Sequence, residues 1–387
     1  MAETDLRRPG ATGTLDEPWR GWHEQRLPAQ VIHLDTAAAG RCSAATLRAM
    51  AEHAAAEAIS GAYVVEAAAQ PVLEAGRAGL AGLLGVPVDA VAFVESATAA
   101  LRALLGSWPL SPGDTVAVLR SDWGPNLAAF GHAGLRTVEL PSHPGGTIDL
   151  AGTRRLLAER PPTVVHVTLA ASHRPLVQPG HEIAALCRAA GVPLWLDVAQ
   201  ALGHVDVACE ADAKYATSRK WLAGPRGVGL LAISDRWWER LRIRTSPLEI
   251  SAKPGAAPVR YLESHEANVP GRIGLCTAVR EHLDAGPERV RARLAEVGEF
   301  TRDALAGLPG WAVAEPGGAP CAITALRATA GQDIPATRAR LLADHGVLTT
   351  AGAVERAPLE MTEPLLRISP HVDCTAADLA RLRTALA

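Results

Sequence analysis

Residues 194–233 read LWLDVAQALGHVDVACEADAKYATSRKWLAGPRGVGLLAI, and this stretch decides the fold. An apolar run ends at Asp197, and Gln200 follows three residues later. A second run, Lys214–Ser218, leads straight to Lys220 and a Gly/Pro-rich turn, after which Gly227–Ile233 reads as a third strand. Continuous apolar runs of this length, bounded by turn residues, predict strands buried on both faces. In open α/β sheets the ligand-binding groups stand at the carboxyl ends of such strands. The stretch therefore offers a buried carboxylate, an amide and an amine along one edge of a sheet.

Outward from it, β-branched apolar runs recur at Val91–Glu95, Thr115–Arg120, Arg136–Leu140, Thr163–Leu169 and Pro193–Ala199. With the two later runs, seven strands are predicted. Amphipathic segments such as Leu150–Glu159 and His181–Ala190 separate several of them. That alternation predicts an α/β fold with a mostly parallel seven-stranded sheet. Upstream, residues 44–84 carry helical spacing, with breaks expected near Gly61 and Pro71. A Pro/Gly-rich stretch, Ser251–Gly274, precedes one long helical segment, Leu275–Leu308, and then short strands and helices. The expected organisation is an N-terminal arm (1–29) docked by Trp19 and Trp22, a large domain (30–262), and an interdomain segment with a smaller α+β domain (263–387).

The 387 residues are 48% hydrophobic and 20% charged, which excludes a disordered chain. A net charge of −3 gives no electrostatic case for nucleic acid or an anionic membrane. The N-terminus has no apolar core of a signal peptide, and no apolar run is long enough to span a bilayer, so a cytoplasmic protein is expected. No two of the six cysteines form a CxxC pair, and they read as reduced thiols. Fingerprints for dinucleotides, P-loops, serine hydrolases and zinc proteases are absent, and no metal site is expected. Only three of the 38 basic residues are lysines: Lys214, Lys220 and Lys253. Arginine cannot replace an amine that must deprotonate and attack a carbonyl. Lys214, at a strand edge, and Lys253, beside Pro254, are expected to be solvated, which leaves Lys220.

A buried amine facing a buried carboxylate suits pyridoxal 5′-phosphate: the lysine bonds the aldehyde carbon, and the carboxylate keeps the pyridine nitrogen protonated so that the ring accepts electrons. The pattern D-x-x-Q followed by S-x-K-W-x-x-G-P-x-G-x-G resembles the class V aminotransferase and cysteine desulfurase group of fold-type-I enzymes. HLDTAAAG (33–40), VESATAAL (94–101) and LLRISPHVD (365–373) extend the resemblance over nearly the whole chain. It implies Lys220 as the cofactor-bonding lysine, Asp197 at the pyridine nitrogen and Gln200 beside the ring O3′. It further implies the Ala97 N–H and the Thr98 amide and hydroxyl on the phosphate, with Thr217 or Arg219 adding to them. Trp123 falls where relatives stack a ring on the cofactor, and Arg367 matches the arginine that forks the substrate α-carboxylate.

Two departures narrow the reaction. Desulfurases carry a nucleophilic cysteine on a loop ahead of that arginine, and residues 345–366 here contain none. Val269 stands where relatives often have a threonine that reaches the partner subunit's phosphate; the segment is still expected to approach the partner. Motifs such as LAASHRPLVQP, EANVPGRIG and AGAVERAPLE resemble the carbon–sulfur lyases of ergothioneine biosynthesis. That resemblance implies β-elimination of hercynylcysteine sulfoxide to ergothioneine, pyruvate and ammonia by a homodimer with active sites at its interface. The substrate's fixed quaternary ammonium favours an aromatic or carboxylate-lined pocket. With only 15 Phe, Tyr and Trp in the chain, Tyr63 is the first candidate, with Ser172, His173 and Arg174 lining the same pocket. An aminotransferase is the nearest alternative, and a desulfurase is disfavoured by the missing cysteine. A PLP-binding transcription regulator needs a DNA-binding domain that the polar arm does not supply.

Overall fold

Seven strands build the central sheet: β1 (Val91–Val94), β2 (Thr115–Val118), β3 (Arg136–Glu139), β4 (Val164–Thr168), β5 (Leu194–Asp197), β6 (Ala213–Thr217) and β7 (Gly229–Ile233). Their spatial order is β1-β7-β6-β5-β4-β2-β3. Only β7 runs antiparallel to its neighbours, and the other pairs are parallel. The structure, a computed structural model, describes residues 19–243, 255–314 and 319–387; Lys253 and most of the N-terminal arm lie outside them.

Alternating side chains give the sheet two apolar faces, as the period of a strand requires. Val91, Phe93, Val165, Leu196 and Leu230 enter one core, while Ala92, Val94, Val164, Trp195 and Leu231 enter the other. Strands β4 to β7 are buried throughout, which explains their unbroken apolar sequence. Helices α1 (Ala44–Ser60), α2 (Ala62–Leu84), α3 (Ala97–Ser107), α4 (Gly124–His132), α5 (Leu150–Glu159) and α6 (Gly180–Ala190) precede or separate the strands. Helices α7 (Val269–Ala285) and α8 (Pro287–Leu305) follow the sheet.

The first helical stretch breaks at Gly61, but α2 runs through Pro71. Pro71 and Ala67 are exposed, so the Ala67 carbonyl that proline leaves unbonded faces solvent, where the lost helix bond costs least. The later helical segment is two helices rather than one, because Gly286, at φ 83°, ends α7 and opens α8.

A second sheet contains β8 (Trp311–Val313), β9 (Thr324–Ala328), β10 (Thr350–Gly352) and β11 (Leu365–Ile368), all antiparallel, in the order β10-β11-β9-β8. Helices α9 (Ile334–His345) and α10 (Ala376–Leu386) pack into its core through Leu341, Leu379 and Leu382. The segment Ile32–His33 pairs in parallel with Val347–Leu348, and Thr36 N–H donates to the Ser369 carbonyl at 2.8 Å. Trp19 and Trp22 are buried as expected, with Trp22 stacked on His371 at 5.0 Å. Among the described residues, no helix is long and apolar enough to cross a membrane.

Candidate active site

Lys220 stands on a tight turn leaving β6. Ala223 N–H donates to the Lys220 carbonyl at 3.0 Å, and Gly224 N–H to the Ser218 carbonyl at 3.0 Å. Ala223 takes φ 51°, a left-handed conformation that alanine adopts at a cost of order 1 kcal/mol or more. The HLDTAAAG segment crosses directly against this turn, where Gly40 N–H donates to the Arg219 carbonyl at 2.7 Å. A Cβ at position 40 would lie 2.4 Å from the Lys220 carbonyl oxygen, so only glycine fits.

The Lys220 amine makes no hydrogen bond among the described residues. Burial lowers its pKa to about 7, and Arg219, Arg367 and Arg356 add to the fall while Asp197 opposes it. The result is a nucleophilic base that titrates near neutrality instead of staying fully protonated.

Asp197, the last residue of β5, is buried and receives Ala199 N–H on Oδ1 at 2.8 Å and Asn126 Nδ2 on Oδ2 at 2.9 Å. Behind it lies a buried network that the sequence reading missed. His166 Nδ1 meets Asp122 Oδ2 and its Nε2 meets Tyr215 Oη, each at 2.7 Å. Thr168 Oγ1 donates to Asp122 Oδ1 at 2.6 Å, and Trp123 N–H to the same oxygen at 2.8 Å. Burial disfavours a charged His166, but the Asp122 carboxylate outweighs it and raises the ring above its usual range. The polar residues that interrupt otherwise apolar strands, His166 in β4 and Tyr215 in β6, were the signal.

The other residues expected around the cofactor take these positions. Gln200, buried, donates to the Ala37 carbonyl at 2.9 Å and accepts Trp221 Nε1 at 2.9 Å, which leaves one amide hydrogen for a ligand. Ala97 and Thr98 open α3, where Ser96 caps the Ala99 N–H, and their own N–H groups lie in the first turn, where no helix carbonyl reaches. Thr217 ends β6, and Arg219 lies beside Lys220 with its pKa lowered by burial, Arg226 and Arg367. Trp123 caps α4 with its ring partly exposed.

Arg367 is fully buried in β11. It donates to the Ser172 carbonyl at 2.7 Å, Asp35 Oδ1 at 3.1 Å and Thr350 Oγ1 at 3.2 Å, while its Nε–H has no partner. Ser172 Oγ and His173 Nδ1, on the loop whose Ser172 carbonyl Arg367 holds, are also buried without partners. A cluster of orphaned polar atoms beside a guanidinium is a site waiting for a polar ligand.

Two expectations are corrected. Lys214 is buried in an interior strand, not solvated; its Nζ donates to the Leu84 and Val207 carbonyls at 2.5 and 2.8 Å, and burial lowers its pKa. Tyr63 is 63% exposed on α2, stacked on His265 at 5.0 Å over a 540 Å³ cavity also lined by Arg77 and Arg272, so one chain does not bring it to Ser172 and His173. Val269 itself is packed into this chain's own core.

The class-V aminotransferase family model matches residues 32–382. A probable hercynylcysteine sulfoxide lyase of Mycobacterium tuberculosis (strain CDC 1551 / Oshkosh) is 45% identical over 387 residues, covering 100% of this chain and 97% of the relative. An isopenicillin N epimerase of Amycolatopsis lactamdurans is 29% identical over 82% of this chain and 84% of its own. The apo structure of a cysteine desulfurase from Thermococcus onnurineus NA1 superposes with a TM-score of 0.82 at 18% identity, covering 92% and 93% of the two chains. A cystine C–S lyase bound to its product cysteine persulfide also gives 0.82, at 17% identity over 92% and 97%. These two structures share the fold of the present chain.

Proposed function

The chain belongs to the class-V aminotransferase family, and on that premise we propose that it is a pyridoxal 5′-phosphate-dependent carbon–sulfur lyase acting on hercynylcysteine sulfoxide. The observation that carries the chemistry is Lys220, an unpartnered amine near neutrality in the field of Asp197. The substrate reading is supported by 45% identity over the whole chain to the mycobacterial relative.

The residues present fit the cofactor. Lys220 would bond its aldehyde carbon, Asp197 would pair with the pyridine nitrogen, and the spare Gln200 hydrogen would suit O3′. The α3 N-terminus, Thr217 and Arg219 offer donors for the phosphate. When bound, the cofactor supplies an electrophilic carbon for the substrate amine and a ring that accepts the electron pair released at Cα.

The chain's own groups do the rest. Arg367 takes the α-carboxylate with its remaining N–H groups, beside Ser172 and His173. Lys220 accepts the Cα proton as general base. The Cβ–S bond breaks, and sulfur leaves as a sulfenic acid, which a thiol reductant converts to ergothioneine. The three-carbon remainder hydrolyses to pyruvate and ammonia. No cysteine is required, in keeping with residues 345–366.

Ile59 (83% exposed), Tyr63 and Val64 (66%) form an apolar patch at the α1–α2 junction, and we read it as part of a homodimer interface that carries Tyr63 towards the neighbouring site. Six free thiols suit the cytoplasm. The test is pyruvate release from hercynylcysteine sulfoxide and, in parallel, from cysteine. Pyruvate from the sulfoxide supports the reading. Amino-group transfer to the cofactor without pyruvate would make the enzyme an aminotransferase.

A further inference from the structure

The segment after β10, residues 353–361, carries Arg356, to which the sequence reading gave no role. Two contacts hold this segment. At one end, the Glu355 carbonyl lies so close to Gly124 that a Cβ there would sit 2.0 Å from it. At the other, Glu360 pairs with His173 Nε2 at 3.3 Å and with Arg174 Nε. The segment is therefore fixed against α4 and against the Ser172–Arg174 loop, both parts of the site.

Arg356 is held between these anchors. Its guanidinium carbon lies 5.5 Å from the centre of the Trp123 ring. It makes no ion pair among the described residues, although it is half-buried. The Trp123 ring is the one expected against the cofactor, and the charge of Arg356 also reaches Lys220 and Arg367. Asp35 opposes its charge from a distance without pairing with it, so this partly desolvated guanidinium, beside a base and a carboxylate-binding arginine, is suited to an anion that forms only during turnover.

Resting on the lyase reading, we propose that Arg356 receives the sulfinyl oxygen of the leaving group and thereby selects S-oxides over thioethers. The Cα–H electron pair becomes the Cα=Cβ bond, with the proton passing to Lys220. The Cβ–S pair departs on sulfur, giving a sulfenate whose negative charge rests on oxygen. Arg356 stays protonated throughout and donates hydrogen bonds to that oxygen, while the proton on Lys220 is available to the sulfenate afterwards. A thioether has no such oxygen, so it gains nothing from the guanidinium.

The experiment compares kcat/KM for an S-alkylcysteine sulfoxide and the matching S-alkylcysteine, and for hercynylcysteine sulfoxide and hercynylcysteine, in wild type, Arg356→Gln and Arg356→Lys. Loss of one preorganised donor to a developing oxyanion costs about 10²-fold. Arg356→Gln should lose about that factor on both sulfoxides and change less than about threefold on the thioethers, with Arg356→Lys intermediate. Calorimetric binding of the sulfoxide amino acid to Lys220→Ala should weaken when Arg356→Gln is added, while thioether binding should not. Equal losses on both substrate classes, or an unchanged sulfoxide preference in a folded, cofactor-loaded Arg356→Gln, would overturn the proposal. Should Arg356→Gln not fold, the same ratios are read on Arg356→Lys, and an unaltered preference there overturns it too. Sulfoxide selectivity that depends on Arg356 for S-alkyl substrates, without turnover of hercynylcysteine sulfoxide, would sink the substrate reading and leave this role standing.

Discussion

Asn126 donates to Asp197 Oδ2 at 2.9 Å and to Asp122 Oδ1 at 3.4 Å, so one amide bridges two buried carboxylates. The bridge fixes the Asp197 carboxylate at the end of β5, and the His166–Tyr215 pair anchors Asp122 from behind. Asp197→Asn should keep the fold and bound cofactor but lower turnover by at least about 10²-fold, since an unprotonated pyridine nitrogen is a poor electron sink. Turnover near the wild-type rate would place the pyridine contact elsewhere. Asn126→Leu should lower thermal stability by about 1–3 kcal/mol, because two buried carboxylate oxygens lose a donor.

Lys220→Ala should abolish both the visible absorbance of the covalently bound cofactor and elimination, leaving at most free-aldehyde absorbance. Unchanged absorbance and turnover would hand the role to another amine, and Lys214, already bonded to two carbonyls, cannot take it without unfolding β6.

The pH dependence of cofactor loading follows from the pKa of about 7 at Lys220. Only the neutral amine attacks an aldehyde, so the loading rate of apoprotein should rise with pH and level off above about pH 7, read from the growth of visible absorbance. Stability has its own sign. The unfolded lysine keeps its proton to about pH 10. Between about pH 7 and 10 the unfolded chain therefore binds more protons, and apoprotein stability should rise with pH across that window. A loading rate that still climbed steeply to pH 10 would mean an ordinary, solvated amine.

The strands and the Asp197–Lys220 pair were legible because they lie in one contiguous stretch whose apolar runs and turn residues carry their own period. The Arg367 surroundings were half legible. Its partner Asp35 lies 332 residues away, and only the fold shows that three of its bonds go to protein groups. Lys214 was misjudged because a lysine in an apolar run gives no hint of the two carbonyls that solvate it. The position of Tyr63 depends on the angle between helices and the sheet, which helical spacing does not encode. Arg356 was invisible for the same reason: a segment without periodicity is placed by its anchors, and these are Gly124 and the His173–Arg174 pair.

Arg367→Lys should raise the apparent KM for amino-acid substrates at least about tenfold, since lysine cannot reproduce a two-bond fork. It should also destabilise the protein by about 1–3 kcal/mol, because the Ser172 carbonyl and Asp35 lose donors at a buried position. Cofactor affinity should not change. A variant that lost the cofactor but handled substrate normally once reloaded would make this residue purely structural.

Gly124→Ala places a methyl group against the Glu355 carbonyl and must displace the segment that carries Arg356. The expected result is a loss of about 1–3 kcal/mol in stability and a drop in sulfoxide turnover that exceeds the drop for thioethers. A melting temperature and substrate ratio equal to wild type would show that the segment is not held there.

The pairing of Ile32–His33 with Val347–Leu348, and of Ala37 N–H with Ser369 Oγ at 3.1 Å, also sets an order of events during synthesis. The strands of the large sheet and the Lys220 turn are made first, and the segment that braces that turn through Gly40, held also by Gln200 at Ala37, gains its strand pairing only once residues 347–369 have been made. Contacts spanning more than 300 residues close late, because the loop they seal carries the largest entropic cost. A nascent chain released before that point would own the lysine but lack Arg367 and the pairing that secures the brace, so ribosome-bound or truncated forms should assemble the sheet without acquiring a competent substrate site.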